Sequence, residues 1–110
     1  MVNKKKGTVI ITGATASLRG GKGFANLAVG KFGLRALAQS AAREFGPQGV
    51  HVAHVIVDGA INTGSGWVKD KDPNTILCPD EMANTYWHLH TQHHTVWTHE
   101  LDVRPSVEKW

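Results

Sequence analysis

The chain has 110 residues, 41% apolar and 19% charged, which suits one modest globular domain and excludes both a two-domain protein and a disordered one. No apolar run approaches the roughly 18–20 residues a membrane span needs, and the apolar run after the basic start is too short for a signal-peptide core. The net charge of +3 is uneven: residues 1–50 carry eight Lys or Arg against the single acid Glu44, and residues 51–110 carry four against eight acids.

That basic half does not read as a nucleic-acid surface. Residues 1–6 form a solvated basic leader around Lys4, Lys5 and Lys6, and no aromatic residues interleave with the other basic side chains as a stacking platform requires. The one cysteine, Cys78, can form no internal disulfide and no cysteine-based zinc site alone, so a cytoplasmic setting is expected.

In chain order, residues 8–12 form a short β-branched run, the pattern of a strand buried on both faces. The glycines after it, Gly13, Gly20, Gly21 and Gly23, invite a phosphate-loop reading that fails on spacing. No G-x-G-x-x-G triplet comes after the strand, and Gly21-Lys22 lacks the hydroxyl residue of a P-loop. From Phe24 to about Phe45 the pattern is helical, with Leu27, Leu34, Ala38, Ala41 and Phe45 on one stripe and Gly46-Pro47 as the stop. Small residues, Gly30, Gly33 and Ala36 among them, permit close approach on several sides and predict a well-covered helix. Leu27 is most simply core.

A second strand is expected over residues 50–57, ended by Asp58-Gly59, then a long loop over 58–78 with a short helix in it. Pro79-Asp80-Glu81 opens a helix running to about Gln92, proline and acids in its first turn suiting the helix dipole. Residues 97–103 alternate as a third strand. The fold class is therefore α/β, a partial doubly wound, Rossmann-like sheet of three parallel strands in sequential order with two main helices. Residues 79–110 supply its last helix, strand and tail. The first strand is left with an open edge.

Two groups of side chains raise further possibilities. His90 and His94, four apart, would share a helix face and could begin a metal site with His99, Glu100 or Cys78, although no H-E-x-x-H motif is present; surface histidines are the default and no metal is assigned. His51 and His54, on opposite faces of the second strand, read as packed. Tyr86, Trp87, Trp97 and Trp110 concentrate large side chains in the C-terminal part and point to association.

The segment from Gly7 to Thr63, "GTVIITGATASLRGGKGFANLAVGKFGLRALAQSAAREFGPQGVHVAHVIVDGAINT", resembles the C-terminal half of short-chain dehydrogenases/reductases, most specifically in "AREFGPQGVHV" and "VDGAINT". The resemblance implies NAD(P)-dependent oxidoreduction by hydride transfer, with NAD or NADP as cofactor. It gives Lys31 the place of the active-site lysine, which binds the nicotinamide ribose. Gly59, Ala60, Ile61 and Thr63 take the place of the turn that holds the nicotinamide end. The tyrosine position holds Leu27 and the serine position holds Ala14, with Thr15 or Ser17 as nearby hydroxyls. The family's usual Pro-Gly turn becomes Asp58-Gly59, and its glycine-rich N-terminal half has no counterpart in these residues. The expectation is one truncated domain over 1–110, catalytically impaired as an isolated chain. The alternative is a module that binds a second copy of itself or a related subunit through the long helix or the open strand edge.

Overall fold

The computed structural model describes residues 1–109, so Trp110 lies outside the described residues. Its first strand, β1 (Gly7–Ala14), is followed by helix α1 (Ala25–Phe45), strand β2 (Val50–Val57), helix α2 (Pro79–Thr91) and strand β3 (Glu100–Val103). The strands form one parallel sheet in the order β1-β2-β3, with Gly7 opposite Val50 and His54 opposite Glu100. Element types and order agree with the sequence pattern.

The central strand explains why the sheet forms. All eight residues of β2 are buried, because β1 and β3 take its two edges and a helix covers each face. On one face Val50 and Val52 meet Ala38, Ala41, Ala42 and Phe45 of α1; on the other, Ala53, Val55 and Val57 meet Leu89, Met82 and Tyr86 of α2. Alternate side chains of one strand thus feed two small cores.

Several boundaries and burials differ from the sequence reading. β1 extends beyond residues 8–12 at both ends and is only half-buried through Ile11, because among the described residues its outer edge has no neighbouring strand. β3 begins at Glu100, three residues after Trp97, whose indole instead stacks on His51 at 4.8 Å between ring centroids. The loop over 58–78 holds two single 3-10 turns, Gly66–Val68 and Pro73–Thr75, and an isolated bridge between Ile61 and Leu77.

Helix α1 departs most from expectation. It is not well covered: only Ala28 and Ala38 are buried, and the space above Gly30 and Gly33 is open. Leu27 is 46% exposed and so is not core. The helix does stop at Gly46-Pro47: α1 ends at Phe45, with Gly46 as its C-cap. A 3-10 turn carries the chain to Gln48, and Gly49 makes the reversal with φ of 88°, where a side chain would overlap the Lys5 carbonyl.

Candidate functional site

The carboxyl ends of β1 and β2 open into a cleft of about 580 Å³, a volume within the usual range for a small-molecule site. Ala14 ends β1, Val57 ends β2, and Gly59 and Ala60 follow after Asp58; all four line the cleft. Leu27 of α1 joins them, with Phe24 just before that helix and Trp67 from the long loop. Trp67 is 75% exposed, with the Lys71 ammonium 5.1 Å from its ring.

Beside these apolar side chains the cleft is lined by Arg19, Glu108 and one hydroxyl-bearing residue. Thr15 lines the cleft, and its Oγ1 donates to Asp58 Oδ1 at 2.5 Å. Asp58 is buried, with Oδ2 3.3 Å from Arg104 Nη2, and the same guanidinium holds Asp102. The Asp58 backbone N–H donates to the Val103 carbonyl at 2.9 Å, which ties the carboxylate to the end of β3. The other candidate hydroxyl, Ser17, is fully buried, and its Oγ accepts from the Ala14 backbone N–H at 3.0 Å.

Of the residues singled out from the sequence, Ala14, Thr15, Leu27, Gly59 and Ala60 meet at the cleft. Lys31, Ile61 and Thr63 do not line it. The Lys31 ammonium donates to the Thr12 carbonyl at 3.4 Å, Ile61 bridges to Leu77, and Thr63 Oγ1 donates to the Ser65 carbonyl at 3.2 Å. Sequence reasoning treated Asp58 as a turn residue and assigned Arg104 nothing. A carboxylate directly after eight strand residues, most of them apolar, was the available signal.

The histidines serve the fold. α2 ends at Thr91, so His94 is off the helix and shares no face with His90, whose Nδ1 meets Thr8 Oγ1 at 2.9 Å. Among the described residues no group of three or more His, Cys, Asp or Glu is placed to hold a metal. His54 is fully buried, and its Nδ1–H donates to Glu100 Oε2 at 3.1 Å. Arg35 of α1 clamps both oxygens of that carboxylate at 2.9 Å. The Arg35 hydrogen bonds, with a smaller one from His54, hold the Glu100 carboxyl below its ordinary value against the opposing effect of burial.

Residues 1–93 match the family model described as enoyl-(acyl carrier protein) reductase. The chain belongs to the short-chain dehydrogenase/reductase family. Solved structures of short-chain dehydrogenases/reductases agree. A short-chain dehydrogenase from Rhodopseudomonas palustris is 44% identical, with a TM-score of 0.75 over 96% of this chain and 41% of that one. A metagenomic short-chain oxidoreductase solved with NADP is 27% identical, with a TM-score of 0.73 over 97% and 43%. An alcohol dehydrogenase from the archaeon Thermococcus sibiricus, complexed with 5-hydroxy-NADP, shares the fold at 24% identity and a TM-score of 0.79 over 98% and 45%. The chain therefore spans less than half the length of each of these structures. No curated protein matches it. Among the described residues of this short-chain dehydrogenase/reductase, no helix is long and apolar enough to cross a membrane.

Proposed function

We propose that the cleft receives the nicotinamide end of NAD or NADP, and that residues 1–110 form one domain carrying that half of an oxidoreductase site. The observation that carries this reading is the position of the cleft. It lies outside the carboxyl ends of adjacent parallel strands, where open α/β sheets bind ligands. An apolar crevice with Gly59 and Ala60 in its lining suits a flat, uncharged ring. Lys31, one turn beyond Leu27, would leave the Thr12 carbonyl to hold the ribose, and Ile61 and Thr63 would meet the cofactor farther along the loop. When bound, the nicotinamide supplies a hydride acceptor or donor. Leu27 and Ala14 have no exchangeable side-chain proton, so neither can perform the acid–base step that the family places there, and catalysis by this chain is impaired. A cytoplasmic location accompanies the reading and fits a single, exposed, unpaired Cys78.

The test is a titration with NADPH and NADH that follows energy transfer from tryptophan, Trp67 being in the cleft lining. Saturable transfer is expected, and Lys31→Ala should weaken it roughly tenfold or more, the usual worth of a charge-assisted hydrogen bond. A folded chain that shows no transfer ends the cofactor reading.

A second reading, association with another copy or a related subunit, rests on α1. Val29, Phe32 and Leu37 are 76%, 41% and 55% exposed, and the outward face they share with Gly33, Ala36 and Ser40 carries no charged residue until Arg43 and Glu44 in the last turn. An apolar surface of this kind marks contact with another chain. Leu37→Glu should lower the molar mass measured by light scattering without lowering the unfolding midpoint of the monomer. An unchanged mass would remove α1 from any interface.

A further inference from the structure

We infer that the outer edge of β1 is an interface between two copies of this chain, paired antiparallel about a twofold axis at Ile10, so that Thr8 of each copy lies opposite Thr12 of the other. The inference concerns a different surface from the cleft and from the outward face of α1, and it does not depend on the cofactor reading.

The devices that ordinarily protect a sheet edge are missing from this strand. Its sequence, GTVIITGA, has no proline and no charge, and its register with β2 runs over all eight residues without a bulge. Among the described residues no strand pairs with its other side, which leaves a row of backbone N–H and C=O groups open. Thr8 to Thr12 are all β-branched, which favours extended backbone.

Both flanks of the edge carry exposed apolar surface. On one face Ala41 and Phe45 of α1 pack with Val9 and Ile11, and Leu37, one turn before Ala41, is more than half exposed. On the other face α2 is tied to β1 by Tyr86 Oη and Thr12 Oγ1, 2.7 Å apart, and by His90 at Thr8. Trp87, its ring 5.4 Å from that of His90, is also more than half exposed. Lys31 adds one charge, at the Thr12 carbonyl. The edge is about 27 Å long, and with a helix layer about 10 Å to either side it presents on the order of 700 Å². That is close to the roughly 800 Å² per partner of a standard interface.

The strand is complementary to itself. A twofold axis perpendicular to the sheet keeps each side chain on its own face, so odd positions oppose odd ones and even oppose even. With the axis at Ile10, Val9 opposes Ile11 on the α1 face, and Thr8 opposes Thr12 on the α2 face. An axis at Ile11 would set Val9 against Gly13, and one at Val9 would set Thr12 against Lys6.

Charge selects the direction. Lys4, Lys5 and Lys6 stand at the amino end of β1, where the Lys5 N–H donates to the Val2 carbonyl at 3.0 Å. Parallel pairing in register would bring two such clusters together. Antiparallel pairing holds them roughly 27 Å apart, well beyond the about 8 Å screening length of physiological salt. Each cluster then lies towards the carboxyl end of the other β1, where Glu108 and Arg19 line the cleft with Ala14.

The experiment uses Thr8→Cys and Thr12→Cys, each in a Cys78→Ser background, with the short thiol cross-linker dibromobimane. An equal mixture should give a linked dimer, because opposed Cβ atoms are about 4.5–5.5 Å apart. Either variant alone should stay unlinked, its two thiols being roughly 14 Å apart. Light scattering on the unaltered chain should give twice the mass of one chain. Isotope-filtered NMR on mixed labelled and unlabelled chain should show contacts between Thr8 and Thr12 methyl groups of different copies, with no substitution needed. A monomeric mass overturns the inference, even if the β1 amides resist hydrogen exchange, since the chain's own residues then cover the edge. Linking of Thr8→Cys alone indicates parallel pairing and overturns it too. A dimer with neither the mixed link nor the threonine contacts removes the β1 edge and leaves the α1 face as the interface.

Discussion

Replacing Gly13 by alanine is expected to destabilise the chain by about 2–3 kcal/mol, at the upper end for overpacking, and to lower its melting temperature by on the order of 10 °C. A Cβ at this position would overlap His54 Nε2 and lie 2.5 Å from Ser17 Oγ. Neither neighbour can give way. The His54 ring is fixed through Nδ1 to Glu100, and Ser17 Oγ already holds the Ala14 N–H. Urea unfolding followed by far-ultraviolet circular dichroism measures the loss. The double variant G13A/H54A should be less destabilised than the sum of its single variants, because removing the ring makes room for the methyl. A Gly13→Ala protein within about 0.5 kcal/mol of the parent, the usual range for a surface change, would show that the packing here is looser than these distances imply.

Glu100→Gln is expected to cost about 1.5–3 kcal/mol at neutral pH, the range for hydrogen bonds made by charged groups. The carboxylate is the meeting point of three elements: it lies on β3, is gripped by Arg35 from α1, and partners the buried His54 of β2. Glutamine keeps the shape but loses the paired acceptor that both donors need. The cost should also depend on pH. The carboxyl titrates lower in the folded chain than its ordinary value of 4.5, with the Arg35 hydrogen bonds as the main cause. Its contribution is therefore complete above the unfolded value and disappears as pH falls through the folded one. The gap between parent and E100Q in urea titrations should be full at pH 7 and should narrow at pH 3. A gap of the same size at both would assign the effect to packing.

The elements were legible because they are driven by local pattern. Val50–Val57 is a β-branched, mostly apolar run and is the fully buried strand, while Pro79 with two acids marks the start of α2 within one residue. Burial on α1 was less legible because periodicity reports which residues share a stripe and not whether anything lies against it. Leu27 belongs to the apolar stripe yet borders a cleft, and Gly30 and Gly33 face open space. The candidate site was half-legible for a similar reason. Ala14, Gly59 and Ala60 lie at or just past strand ends, which sequence can place, whereas the link from Thr15 to Asp58 spans 43 positions and depends on side-chain direction alone. Lys31 falls one helical turn from Leu27, as its spacing requires, but its ammonium turns to a backbone carbonyl.

The burial of β2 between two edge neighbours also bears on how the chain is made. Its partner across the sheet on one side precedes it, but Glu100 lies 46 positions after His54. At typical synthesis rates of about 5–20 residues per second, that gap is on the order of 2–9 s. During this interval eight consecutive strand residues, six of them valine, isoleucine or alanine, have one flank and the α2 face uncovered. A nascent chain in this condition is a substrate for chaperones and for association with its neighbours on the same message. The yield of folded protein is then set by what shields those residues before Val103 is made.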